Sequence, residues 1–373
     1  MREAHRGRRL VHAALLLASL AGSLAAAELL ARFAWPLPAP EAPRAIARLC
    51  GACAPLYELD PAQPGISAQA TRDRVYAIPK PPGVFRILVL GDSIAFGAQV
   101  RRSEAFPEQL EALLAQRGRP VEVVNAGVSG YSAWSEERWF AERGRAFEPD
   151  LVLVAACLND VVDPLPHWSR GVPVRGDVPG AAIPDADDHA RKILPLVRWR
   201  SAKVRLAERS ALGRRLATVL LPRIERWLPF TPGPPPLLES GGRRWPAHLT
   251  LEDDLALDVL LDADSAQWRW LRRSYDALAA GVAAAGAQLA LVVFPLAYQM
   301  DPAYPFLPQD LYRAHCDARR LACLDLLPAL RAAGAPASAL WLDDWHPSPR
   351  GHAVAAGAIV RFLEDRGLLP PHP

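Results

Sequence analysis

From about residue 83 onward, apolar runs alternate with stretches of helical spacing. Phe85–Leu90 (FRILVL), Val121–Ala126 and Leu151–Ala156 (LVLVAA) are short and largely apolar, whereas Ser103–Gln116 and Trp134–Phe147 carry apolar residues at helical intervals. Uninterrupted apolar runs mark strands buried on both faces, and their alternation with helices predicts a parallel sheet covered on both sides. The rhythm stops over about 161–250. That region holds a Pro/Gly stretch, a basic helical segment near 191–228 and the breaker Thr231-Pro-Gly-Pro-Pro-Pro236. It resumes with a helix over 264–285, a strand at Gln288–Phe294 (QLALVVF), a helix near 308–320, a short strand at Leu321–Leu324 and a last helix over Gly351–Arg366. The pattern predicts one α/β domain over 83–370, with five parallel strands and a helical insertion at about 161–250. No internal repeat is found.

The N-terminus has a different pattern. Arg2, Arg6, Arg8 and Arg9 precede Leu10–Ala27, a run without Asp, Glu, Lys or Arg, after which Glu28 and Arg32 appear. A basic flank before about 18 mostly apolar residues is what a signal anchor requires, with the Arg side left in the cytoplasm. The rest of the chain then faces the bacterial periplasm, tethered to the inner membrane. Two other readings compete: cleavage after Ala25-Ala26-Ala27, giving a secreted or periplasmic chain, and a twin-arginine signal at Arg8-Arg9. Apolar character resumes at Leu29, Leu30, Phe33 and Trp35, which favours a retained anchor over residues 1–35. Residues 36–82, rich in Pro and Ala, read as a spacer leading into the domain.

Composition sets outer bounds. An apolar fraction of 51% and a charged fraction of 22% are those of a globular chain, not of a disordered or collagen-like one. The net charge of +3 is too mild to argue for nucleic acid. Locally, eleven basic residues between Arg191 and Arg226 face only Glu208 and Glu225, with Leu212, Leu216, Val219 and Leu220 at helical spacing. This segment reads either as a basic amphipathic helix for anionic lipid or acidic glycan, or as a solvated helix packed on the domain. Five cysteines without dense spacing argue against a disulfide scaffold. Cys50-Gly-Ala-Cys53 has the redox spacing without a surrounding βαβ pattern; it reads as a local disulfide or two free thiols, with a redox or metal site as the alternative.

Ligands of open parallel sheets sit beyond the carboxyl ends of the strands, so the polar residues that follow each strand matter most. Gly91-Asp92-Ser93 follows the first strand. Asn125-Ala-Gly127-Val-Ser-Gly130 follows the second and Cys157-Leu-Asn159-Asp160 the third, while Asp343-Asp344-Trp345-His346-Pro347 precedes the last helix. A serine needs a base to become a nucleophile, and His346 is the candidate. Asp343, three residues earlier, is placed to fix its tautomer and stabilise the imidazolium. The Ser93 N–H, the Gly130 N–H and the Asn159 side chain form a candidate oxyanion hole. Asp92 and Asp160 read as structural supports, and His315 and His352 as surface or supporting residues.

These four clusters, in this order, resemble the blocks of the SGNH (GDSL-type) serine hydrolases over about 85–160 and 285–365. The resemblance implies Ser93, Gly130, Asn159 and His346 as the name-giving residues, with Asp343 as orienter. It also implies a flavodoxin-like three-layer α/β/α sandwich and ester chemistry without metal or cofactor. The N-terminal anchor, the spacer and the His346-Pro347…Gly351-His352 ending are similar to anchored bacterial members linked to envelope polysaccharides. That resemblance implies an acyl-ester substrate such as an acylated glycan. Two alternatives remain: an O-acetyltransferase using the same triad, and a non-catalytic scaffold of an envelope assembly. Cys157, where the family usually has Gly, and Ala95, where a hydroxyl residue is common, depart from the pattern.

Overall fold

The computed structural model describes residues 2–33, 47–49, 57–157, 160, 174–175, 206, 210–216, 220–221, 237–240, 242–246, 250–251, 255–256, 263, 266–305 and 308–370. The chain divides into two compact units. One comprises residues 1–42 and 191–231, the other residues 43–190 and 232–373.

The larger unit is built on five parallel strands: β1 (Arg86–Gly91), β2 (Glu122–Asn125), β3 (Leu151–Ala156), β4 (Gln288–Val293) and β5 (Ala322–Asp325). Their spatial order is β5-β4-β3-β1-β2. The three apolar runs behind β1, β3 and β4 are buried almost throughout, as strands covered on both faces must be. Arg86 is the exception in composition: its side chain has no exposed surface, and its charge is met by Glu122 and by the carbonyl oxygens of Phe147 and Ala77. A buried guanidinium is tolerated because it is paired and hydrogen-bonded.

The helices are α1 (Ser93–Phe96), α2 (Phe106–Gln116), α3 (Ala133–Glu142), α4 (Ala266–Ala284), α5 (Gln309–Arg319), α6 (Leu327–Ala332), α7 (Ala337–Leu340) and α8 (Pro349–Asp365). α2 packs against α8, and α3 against α4. The crossover from β1 to β2 runs outward and that from β2 to β3 runs back past β1. Right-handed connections therefore put α2 and α3 on opposite faces of the sheet. The strand order reverses between β1 and β3, and there the crevice of a doubly wound sheet opens.

Several expectations change. The helix expected over Ser103–Gln116 begins with a separate 3₁₀ turn at Arg102–Glu104, because Pro107 pre-sets the start of α2. The expected Trp134–Phe147 helix ends at Glu142 and continues as a 3₁₀ turn over Gly144–Phe147. Residues 57–82, within the expected spacer and domain entry, belong to the larger unit. Thr71 and Asp73 are buried, and Asp73 accepts hydrogen bonds from the Tyr76 hydroxyl and the Asn125 N–H. Tyr57–Leu59 joins Ala47–Leu49 and Val174–Arg175 in a small sheet. The insertion is not simply helical, since its described parts include the hairpin Leu237–Ser240/Arg243–Pro246. His315 and His352 are buried, not at the surface. Cys316 and Cys323 form a disulfide that the cysteine spacing did not announce. Cys50 and Cys53 lie outside the described residues.

In the smaller unit, a helix runs over Arg2–Phe33, and its Glu28 carboxylate accepts the Ala211 and Leu212 N–H groups of the short helix Ala211–Arg215. Part of the basic segment thus docks on the N-terminal helix. Most of that segment lies outside the described residues. Among the described residues, no helix is long and apolar enough to cross a membrane, so the transmembrane expectation finds no support there. The side chains of Leu10, Val11, Ala13, Ala14 and Leu17, which belong to the uncharged run, are outside the described set.

Candidate active site

β1 ends at Gly91, and Asp92 caps the single turn of α1 by accepting the Ile94 N–H at 2.8 Å. This abrupt strand-to-helix turn leaves Ser93 at the carboxyl edge of the sheet, half-buried. The turn is packed tightly from the β2 side. A Cβ on Gly127 would stand 2.3 Å from the Phe96 backbone nitrogen, so only glycine lets that loop approach.

His346 arrives from the other end of the chain, on a compact loop between α7 and α8. Trp341 bridges Pro347, and the Leu342 N–H donates to the His346 carbonyl at 2.8 Å. Inside this loop the Asp343 carboxylate folds back. Its Oδ1 accepts the N–H groups of Trp345 (2.8 Å) and His346 (2.7 Å), in the manner of an Asx turn. Ser348 caps α8 directly afterwards and Pro349 opens it, so the loop is tied down at its exit.

The three side chains meet in sequence. His346 Nε2 lies 2.9 Å from Ser93 Oγ, and His346 Nδ1 lies 2.7 Å from Asp343 Oδ2. With the ring proton on Nδ1, the imidazole donates to Asp343 and accepts from the serine hydroxyl. Burial pushes the Asp343 carboxyl pKa upward, but the His346 side chain and two backbone N–H groups outweigh it and hold the pKa below its usual value. Asp344 is exposed, and its backbone carbonyl accepts the Ala297 N–H at 3.0 Å.

The oxyanion candidates are placed unequally. Gly130 has φ +85°, in the left-handed region that suits glycine, in the loop that follows β2. Its loop is braced from residues 57–59: the Tyr57 hydroxyl donates to the Ser129 carbonyl at 3.2 Å, and the Tyr131 hydroxyl donates to the Tyr57 carbonyl at 2.6 Å. Among the described residues, the N–H groups of Ser93 and Gly130 have no acceptor. Asn159 lies outside the described residues. Its neighbour Asp160 is buried, accepting the Cys157 N–H at 2.8 Å and the Tyr275 hydroxyl at 2.9 Å. No group of His, Cys, Asp and Glu side chains suited to a metal occurs among the described residues.

Sequence reasoning passed over Gln99, whose amide nitrogen lies 2.7 Å from Asp343 Oδ2. It also passed over Arg72 and Tyr57, which brace the loops beside Ser93 and Gly130 from the segment before the domain. All three act across long stretches of chain, and no local pattern marks them.

A serine hydroxyl, an imidazole and a carboxylate stand in hydrogen-bond sequence at the switch point of a doubly wound sheet, an arrangement that suits acyl transfer through a serine. The sequence pattern of the GDSL-like lipase/acylhydrolase family matches residues 89–354, well over half of the chain, and the protein belongs to that family. It is a serine esterase of the GDSL type. Among curated protein sequences none matches. Solved structures show weaker likeness. The acetylxylan esterase Axe2 from Geobacillus stearothermophilus is 15% identical, with 75% of this chain and 94% of that chain covered and a TM-score of 0.41. The psychrotrophic esterase EstA from a Pseudoalteromonas species is 12% identical, with 76% and 98% covered and a TM-score of 0.40. A member of the lipolytic G-D-S-L family from Veillonella parvula is 10% identical, with 74% and 97% covered and a TM-score of 0.39.

Proposed function

We propose that this esterase works through Ser93, His346 and Asp343, with the N–H groups of Ser93 and Gly130 and the side chain of Asn159 as oxyanion donors. The observation that carries the reading is the continuous run from Ser93 Oγ through the His346 ring to Asp343 Oδ2. Ser93 Oγ attacks the ester carbonyl carbon while His346 Nε2 takes the hydroxyl proton. The oxyanion collapses, and the alcohol leaves with that proton. Water then attacks the acyl-Ser93 ester by the same route, His346 again taking and returning the proton, so that acid and free enzyme are regenerated. Ser93→Ala should abolish short-chain ester turnover and labelling by a fluorophosphonate while leaving the melting temperature within a few degrees. Folded Ser93→Ala protein with undiminished turnover would sink the mechanism.

The substrate class proposed is an acylated envelope glycan, on the domain organisation read from the sequence. The acceptor is tested in the same assay. Acyl transfer to an added glycan in preference to water would make the protein an O-acetyltransferase with the same triad.

The N-terminal helix is proposed as an inner-membrane anchor with the esterase domain in the periplasm. Support comes from the uncharged run Leu10–Ala27 behind four arginines and from the exposure of Leu15, Leu16, Leu20 and Leu24 along the helix. The Cys316–Cys323 disulfide suits an oxidising compartment. Retention in membranes after a high-salt wash is the expected result. A soluble periplasmic chain beginning at Glu28 would establish cleavage instead.

A further inference from the structure

We propose that Gln99 is a positioning residue of the triad, holding the Asp343 carboxylate through its side-chain amide and itself held in place by Arg72; this rests on the hydrolase reading above. Four hydrogen bonds converge on the Asp343 carboxylate, two on each oxygen. Oδ1 takes the Trp345 and His346 N–H groups, and Oδ2 takes the His346 Nδ1–H and the Gln99 amide, the last at 2.7 Å. Three of these donors belong to the loop that carries Asp343. Only Gln99 comes from elsewhere, 244 positions away in the chain. It therefore links the loop carrying the base to the loop leaving the nucleophile helix, and fixes from outside the oxygen that receives the imidazole proton. Its nitrogen also stands 3.2 Å from His346 Nδ1, so the amide lies against the same edge of the ring that faces Oδ2.

The backbone at Gln99 points the same way. Gln99 is the third residue of a four-residue turn closed by the Val100 N–H and the Gly97 carbonyl at 3.3 Å, and its φ is +65°. That position of a turn favours Gly or Asn, because a longer L side chain is strained there. A glutamine in this left-handed conformation is strained, and its amide reaches one specific carboxylate oxygen. The strain is opposed by Arg72. Its guanidinium donates to the carbonyl oxygens of Phe96, Gly97 and Val100 and lies 4.3 Å from the centre of the Phe96 ring. Those carbonyls flank Gln99 on the turn, so the planar fork of Arg72 clamps the backbone that aims the amide.

Strain and contact predict opposite signs, which makes the role separable from plain stability. Gln99→Gly relieves the left-handed backbone and deletes the amide. The expected result is an unchanged or higher melting temperature together with kcat lowered about tenfold and KM within about twofold, the pattern of lost transition-state alignment. Gln99→Asn also tolerates the backbone but is one methylene too short to reach Oδ2, and should reproduce the loss. Gln99→Glu sets a carboxylate against Asp343 and should lose more. The second readout is the downfield proton resonance of His346 Nδ1–H in the full chain labelled with ¹⁵N-histidine. It should be sharp in the parent protein and shifted or exchange-broadened in Gln99→Gly and Gln99→Asn. Parent-like kcat with an unmoved resonance in both variants would overturn the proposal and leave the Ser93 mechanism standing. A parent protein without ester turnover, whose resonance still responds to Gln99, would remove the hydrolase reading and leave Gln99 as a structural partner of Asp343, with no part in catalysis.

Discussion

Asp343 holds His346 twice: its Oδ2 accepts the ring Nδ1–H at 2.7 Å while its Oδ1 accepts the backbone N–H of the same residue at 2.7 Å. The three-residue spacing permits this only because the intervening loop folds into a closed turn. Ring and backbone of His346 are thus referred to one carboxylate, which sets the ring plane against Ser93.

This arrangement separates two adjacent aspartates. Asp343→Asn replaces an acceptor by an amide that can present its N–H₂ to Nδ1 and so stabilise the wrong tautomer. A loss of kcat on the order of 10⁴ is expected, as in other triads. Asp344→Asn, altering an exposed side chain, should stay within about twofold of the parent. Steady-state kinetics on a short acyl ester decide it, and a large loss in Asp344→Asn would reverse the assignment.

Glu136 gives a stability prediction. It is fully buried on α3, and among the described residues neither of its carboxylate oxygens has a hydrogen-bond partner. Burial pushes its pKa well up, and the neighbouring Asp160 and Asp92 push it further. A raised folded-state value means the folded protein binds more protons than the unfolded chain above the unfolded value of about 4.5, so stability is lost as pH rises from there. Glu136→Gln is neutral at every pH and should be more stable than the parent, by a margin that widens from about pH 5 to pH 8. Thermal melts of the two proteins across that range test it; a difference independent of pH would count against a buried, protonated acid.

His352 titrates with the opposite consequence. Burial, then the charges of His346 and Arg72, lower its pKa from 6.5 to about 4, and its Nδ1 accepts the Phe106 N–H at 3.3 Å, which requires an unprotonated nitrogen. Its contribution is fully present above 6.5, the unfolded value, and is lost as pH falls toward about 4. The parent melting temperature should fall over that window, and His352→Gln should show a shallower fall. Parallel curves for the two proteins would dismiss the assignment.

Arg72→Lys should destabilise by on the order of 2 kcal/mol, because a single ammonium replaces a planar fork serving three carbonyls. Activity should fall with it, since the turn that carries Gln99 loosens. Denaturant titration and kcat measured on the same preparation provide the check. An unchanged midpoint would mean that the turn holds itself.

How much of this was legible in the sequence differs from element to element. β3 was readable because Leu151–Ala156 is buried on both faces and must be apolar at every position. The site was readable in outline because parallel strands all end on one edge, so polar residues that follow separate strands converge. The contact of His346 with Asp343, and not with Asp344, was readable because it is local, three residues along one loop. The contacts of Gln99, Arg72 and Tyr57, the burial of His315 and His352, and the pairing of Cys316 with Cys323 were not. Each depends on which segments meet, and neither periodicity nor spacing encodes that. The sequence by itself determined the strands, the edge at which chemistry is possible and the residue types present there. Only the tertiary structure decided that β1 lies between β2 and β3, so that Ser93 stands at the switch point. It also decided that Gln99 closes on Asp343, for strand order and long-range hydrogen bonds come from packing the whole chain at once.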